Sequence, residues 1–340
     1  MMLGPRGGHD WKTDSASAGV RSGAGSVRSR KKARVSAKSV VAVWCSGSMQ
    51  KNAFSIDVEE HFQVAALASR VSKAAWSSHP SRVEANTDRC LDLLDSTSAR
   101  GTFFVLGWVA RRCPQLVRRI VARGHEIASH GMQHDRVSEL GAKAFPQDIR
   151  TARCLLQDLT GEPVHGYRAP SFSLRPDMRW AYAALVEAGY RYSSSVYPVR
   201  HDHYGAPDAP RQAYRPLADA TFVELPMTTA RVGGRNIPAS GGGYFRLLPY
   251  AFSKHLLCRV QNREHMACVF YMHPWEIDSE QPKVAGLPWR SRFRHYVNLH
   301  RTENRLRALL KDFSWGRMDE VFSREIKQPS ELPVMAMAGP

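Results

Sequence analysis

The sequence predicts an α/β fold built on a parallel sheet, and three observations predict it. From residue 52 onward, short β-like runs alternate with helical patterns, the order that generates βα units. Several helices carry the proline-start, glycine-stop asymmetry. Ionisable residues also recur at the ends of the β-like runs, where sites assemble in such sheets.

The β-like runs are Ala53–Ile56, Thr102–Leu106, Glu126–Ser129, His165–Arg168, Arg191–Ser195, Thr221–Leu225 and Ala267–Met272. Between them, Thr87–Ser96, Pro146–Leu159 and Asp177–Ala188 read as helices, and another opens at Pro114 and closes at Gly124 with Leu116, Val117, Ile120 and Val121 on one stripe. Seven strands suit a closed barrel or an open doubly wound sheet, and periodicity does not choose. Beyond Gly286 the pattern changes: Trp289 to Trp315 is rich in Arg, His and aromatics, and Thr302–Asp312 is helical. The predicted organisation is a basic, disordered segment over 1–48, a catalytic domain over 49–285, a helical extension over 286–325 and a loose tail over 326–340.

The formal net charge is +17, and residues 1–50 hold nine Lys/Arg against Asp10 and Asp14. Charge alone invites nucleic acid, an anionic membrane or an acidic polysaccharide. No nucleic acid is expected, because no zinc finger, helix-turn-helix or RNP-like strand accompanies it. Six cysteines without a C-x-x-C pair read as reduced, mostly buried thiols. No apolar run nears the roughly 20 residues of a membrane span, and a cytoplasmic location is expected.

Four segments carry candidate chemistry. Ser129-His130-Gly131-Met132-Gln133-His134 spaces two histidines four apart, so both imidazoles can reach one metal ion. Gly131 stands where an H-E-x-x-H protease has its glutamate, which removes that reading. Phe54-Ser55-Ile56-Asp57-Val58-Glu59-Glu60 runs an apolar strand into carboxylates. Asp57 and Glu59 alternate by two and project to one side, one suited to hold a metal and the other to act as base. Tyr167-Arg168-Ala169-Pro170-Ser171-Phe172 and Phe270-Tyr271-Met272-His273-Pro274-Trp275 each place an ionisable residue at a strand end. Gly241–Gly243 with Tyr244 and Phe245 either shapes a sugar groove or makes a flexible turn.

In this order the segments S-I-D-V-E, S-H-G-M-Q-H, Y-R-A-P-S-F and Y-M-H resemble the successive motifs of the NodB-homology polysaccharide deacetylases, carbohydrate esterase family 4. The flanks D-V-E-E-H-F-Q-V and P-A-S-G-G-G-Y-F-R resemble more narrowly an exopolysaccharide-associated bacterial subgroup, found alongside exosortase, with a DUF3473-type extension. The resemblance implies a distorted (β/α) barrel of seven strands that removes N-acetyl groups from amino sugars of a polysaccharide. It implies Asp57 as catalytic base, Arg168 as the arginine that orients it, and His273 as general acid. His130 and His134 become metal ligands. Val58 stands where many members have a second, metal-binding aspartate, and Glu59 is the natural substitute. The implied metal is divalent, zinc by default. Pro170, Phe172, Tyr244 and Trp275 are candidate sugar contacts. Ser193 replaces an aspartate usual in the subgroup, which leaves a catalytically silent polysaccharide binder as one alternative; a small-molecule amide hydrolase is another.

Overall fold

The computed structural model describes residues 50–201 and 204–335; the segment 1–48 lies outside them. Strands β1 (Asn52–Val58), β2 (Thr102–Val105), β3 (Glu126–Ser129), β4 (Gly166–Tyr167), β5 (Tyr192–Ser193) and β6 (Val223–Glu224) pair in sequence order, all parallel. After an antiparallel hairpin of β7 (Thr229–Val232) and β8 (Arg235–Pro238), β9 (Val269–Met272) returns to pair with β1, also parallel. A two-residue strand, β10 (Trp315–Gly316), adds to the start of β1. The seven predicted strands form a curled, distorted (β/α) barrel with helices outside it.

No β6–β9 ladder closes the barrel. The segment around the hairpin fills the gap: Val269 N–H donates to Thr228 Oγ1 at 2.7 Å, and Tyr271 N–H to the Ser240 carbonyl at 2.6 Å. Gly241 continues this contact at φ +120°, and a Cβ there would stand 2.0 Å from the Tyr271 carbonyl. The glycine run is thus a tight junction, followed directly by the helix Gly242–Leu247.

Strand alternation sorts side chains into two layers. Phe54, Ile56, Phe103, Val105 and Phe270 face the outer core, where helices such as Pro114–Ala122 bury Leu116, Val117 and Ile120. Ala53, Phe104, Ala128, Tyr192, Val223 and Tyr271 face inward and form a second cluster. Inward parity also belongs to Ser55 and Asp57 on β1, and continues to His130, Arg168, Ser194 and His273 just past β3, β4, β5 and β9. A one-residue slip in any of these strands would turn its functional side chain outward.

Helix boundaries differ from expectation where local signals competed. The chain is helical over Val137–Thr160, with a break at Gly141 (φ 61°, ψ −178°) that lets Pro146 sit early in the second piece rather than start it. Past Gly286, the helix Leu299–Asp312 buries Leu306, Leu309 and Leu310 against the barrel's outer core. Residues read as tail are tied down through Val334, where Arg215 N–H donates to the Pro333 carbonyl and Met335 N–H to that of Arg215. Cys90, Cys113, Cys154 and Cys268 are free thiols. No helix among the described residues is long and apolar enough to cross a membrane.

Gly241→Ala should destabilise the fold by about 2 kcal/mol or more, because strain at positive φ and a backbone clash act together. Thermal unfolding should show a loss of several degrees, whereas Gly233→Ala, where nothing lies within 4 Å of the added Cβ, should cost less.

Candidate active site

The carboxyl edge of the sheet gathers the chemistry. Arg168, fully buried, lies across the barrel with its guanidinium 4.0 Å from the Phe104 ring centroid. Its Nη1 donates to Asp57 Oδ1 at 2.7 Å and to Ser55 Oγ at 2.8 Å; its Nε donates to the Ser194 carbonyl at 2.9 Å, and its Nη2 to Ser194 Oγ at 3.0 Å. A buried ion pair survives its desolvation when every donor is satisfied in this way. Asp57 is therefore held at a fixed angle, its Oδ2 turned toward His273 Nε2 at 4.0 Å.

Glu59 follows β1 on the same side. Its Oε2 stands 2.8 Å from His134 Nε2 and 3.7 Å from His130 Nε2, and its Oε1 3.5 Å from His273 Nε2. Burial pushes the carboxyl up, but His134, by charge and hydrogen bond, and the charge of His273 outweigh it and hold Glu59 down at about 2. His130 donates from Nδ1 to the Arg168 carbonyl at 2.8 Å, a bond that fixes the tautomer and aims the Nε2 lone pair at Glu59. Burial lowers His130 to about 4 and keeps it neutral, as a ligand must be. Asp148 accepts the Met132 N–H at 3.1 Å and braces the loop carrying both histidines.

These residues fit a metal ion. One carboxylate oxygen and two imidazole nitrogens lie within 4.8 Å of one another, and the buried Glu59 Oε2 makes no aligned hydrogen bond. An unpaired buried carboxylate oxygen is costly unless a cation compensates it, and this donor set with open positions is that of a catalytic metal centre.

His273 ends β9. Its Nδ1 donates to Glu276 Oε1 at 2.8 Å, and Glu276 Oε2 accepts from Arg246 Nε at 2.6 Å. Burial lowers the imidazole's affinity for protons, but Glu276, Glu59 and Asp57 overcome it and raise His273 to about 9. Its Nε2 carries a proton into the site. Trp275 stacks on His273 with centroids 5.0 Å apart, and His295 on Trp275 at 4.5 Å.

The site opens into a cavity of about 590 Å³, whose wall includes Phe172, Tyr244 and Trp275, a size suited to a few sugar rings. Pro170 is buried beside the loop at Gly131. Three of the six non-glycine residues with positive φ among the described residues, His134, Ser171 and Phe172, line the cavity, the placement expected of strain held at a functional site.

Sequence reading missed the supporting cast. Glu276 stands three residues after His273, a capping-box spacing that could have exposed it. Arg246, Ser55 and Asp148 carry no such signal. Glu224, buried on β6, accepts the N–H groups of Ser195 and Val196, both at 2.8 Å. Ser193 Oγ shares a hydrogen bond with Ser195 Oγ at 2.7 Å.

The polysaccharide deacetylase family model matches residues 76–193, and a model described as a domain of unknown function, DUF3473, matches residues 194–323. The chain thus carries a region similar to polysaccharide deacetylases followed directly by a region similar to DUF3473, residues 76–323 in all. Similar curated proteins include a chitooligosaccharide deacetylase of Sinorhizobium fredii, 38% identical over 25% of this chain and 40% of that protein. Another is a peptidoglycan-N-acetylglucosamine deacetylase of Bacillus cereus, 30% identical over 31% of this chain and 47% of that protein. The chain thus spans less than half the length of either relative. A crystal structure from Mycobacterium smegmatis, described as a polysaccharide deacetylase, shares the fold with a TM-score of 0.57 and 19% identity over 86% of this chain and 96% of that one. The site draws on both matched regions. His130, His134 and Arg168 fall in the deacetylase match; His273, Glu276 and Arg246 fall in the DUF3473 match, which begins well before residue 286; Asp57 and Glu59 precede both.

Arg168→Met should leave Asp57 as a buried, unpaired carboxylate and cost about 3–5 kcal/mol. Urea unfolding should show the loss, and Asp57→Asn in the same background should recover part of it.

Proposed function

We propose that this chain hydrolyses the acetamide of N-acetylated amino sugars in a glycan, with a divalent metal held by Glu59, His130 and His134. One observation carries the reading: a carboxylate and two histidines share a metal-sized point, with an ion-paired Asp57 and a protonated His273 both reaching the same space. Zinc is the metal this donor set suits by default. Bound there, it would supply a Lewis acid for water and for the acyl oxygen.

The protein's own groups divide the proton work. Asp57, aimed by Arg168, accepts a proton from the water as the water oxygen bonds to the carbonyl carbon. His273 gives the proton on Nε2 to the sugar nitrogen as the C–N bond breaks, so acetate and a free amine leave. Glu276 keeps that histidine protonated and oriented through Nδ1. Two groups of opposed charge state within 4.0 Å are what acid and base roles at neutral pH require. Trp275 Nε1, buried without a hydrogen-bond partner among the described residues, is a donor available to a sugar hydroxyl.

Asp57→Asn should retain the metal and lose acetate release by ~10²–10⁴-fold, since an amide cannot take the proton. His273→Ala should retain the metal and still bind a glycan while turnover falls comparably. His130→Ala should lose metal and activity together. Metal content and acetate release, measured on the same samples with an N-acetylglucosamine oligomer, separate these phenotypes; a silent polysaccharide binder would show no acetate with metal bound.

Chelation supplies an independent check. Removing the metal should abolish acetate release and lower the unfolding temperature, because a ligand bound only by the native state stabilises it. Adding zinc back should restore both, and unchanged activity after complete metal removal would overturn the assignment.

A further inference from the structure

The cavity wall is unequally charged. Among the described residues, Asp57 and Glu59 are its acidic members, and both face cationic partners inside the site. Arg136 and Arg294 belong to the same wall. Arg294 lies on the helix Trp289–Tyr296, within a stretch where five Lys/Arg and no acid occur between Glu280 and Glu303. Arg290, Arg292 and Arg294 are all exposed on this helix, beside Trp289 (74% exposed) and Phe293 (51% exposed).

The helix is fastened to the catalytic edge at its inner end. Buried Arg246 donates to the carbonyls of Arg294 at 3.0 Å, His295 at 2.7 Å and Val297 at 3.1 Å, while its Nε holds Glu276. His295, stacked on Trp275, ties the same turn to the catalytic histidine's ring stack. Arginines on a free surface helix sample many positions. Here the last turn is fixed by three hydrogen bonds, so Arg294 stands at a set place on the cavity wall.

From this placement we infer that the substrate glycan is polyanionic, carrying carboxylate-type groups on sugars outside the one whose acetamide reacts. The inference rests on the proposed deacetylation and names its substrate class. A cationic rim with interleaved aromatics matches such a strand: the rings take sugar faces and the guanidiniums take carboxylates. A neutral glycan would gain only the aromatic half of that surface.

The test compares two N-acetylglucosamine oligomers of equal length with the full chain: one neutral, a chitin oligomer, and one alternating with uronate, a hyaluronan oligomer. Binding and acetate release are both measured at low and high salt. The uronate oligomer should bind about tenfold more tightly at low salt, and the gap should close at high salt as the charges are screened. Arg136→Gln/Arg294→Gln should reduce the anionic-to-neutral ratio, while Arg136→Lys/Arg294→Lys should largely preserve it. Equal binding of the two oligomers, or a ratio indifferent to the arginines, overturns the inference. So does arginine-dependent sedimentation with phosphatidylglycerol vesicles without glycan preference, which would make the helix a membrane contact. Arginine-dependent preference for the uronate oligomer without acetate release from either oligomer would sustain the inference and sink the deacetylase reading.

Discussion

A guanidinium at the centre of a barrel is an expensive object, and the architecture around Arg168 is organised by the need to satisfy it. β1 supplies Asp57 and Ser55, and the turn after β5 supplies both oxygens of Ser194. The Phe104 face completes the cage. The Arg168 carbonyl accepts from His130, so the residue that aims the carboxylate also orients one proposed metal ligand. Displacing this side chain would expose the interior charge and disturb both halves of the site.

A second assembly supports His273 from the opposite direction. Arg246 binds Glu276, Glu276 binds His273, and the same arginine holds three carbonyls of the C-terminal region. The region matched by the DUF3473 model is therefore no accessory lying beside a finished enzyme. It contributes β6 and β9 to the barrel and brings the histidine with its supporting carboxylate.

Much of this was legible in the sequence, for physical reasons. The seven strands announce themselves because buried parallel strands are continuous apolar runs, and the site residues because charges at strand ends are costly without a purpose. The hairpin of β7 and β8 escaped because its outer residues are largely exposed and polar, although the Gly233-Gly234 pair is a hairpin signal. β10 is two residues long and has no pattern to read. Pro146 marked a helix start in sequence, but the break at Gly141 had already reset the chain. Arg246 and Asp148 could not have been found, because their roles come from partners far away in sequence.

The pairing of β1 with β9 sets Ile56 beside Met272, so Asp57 and His273, the two residues proposed to handle protons, come from distant parts of the described chain. The residues proposed to hold the metal are all present by His134. The proposed acid reaches the site only because β9 lies against β1, so the register of that one ladder fixes how far His273 stands from Asp57 and Glu59.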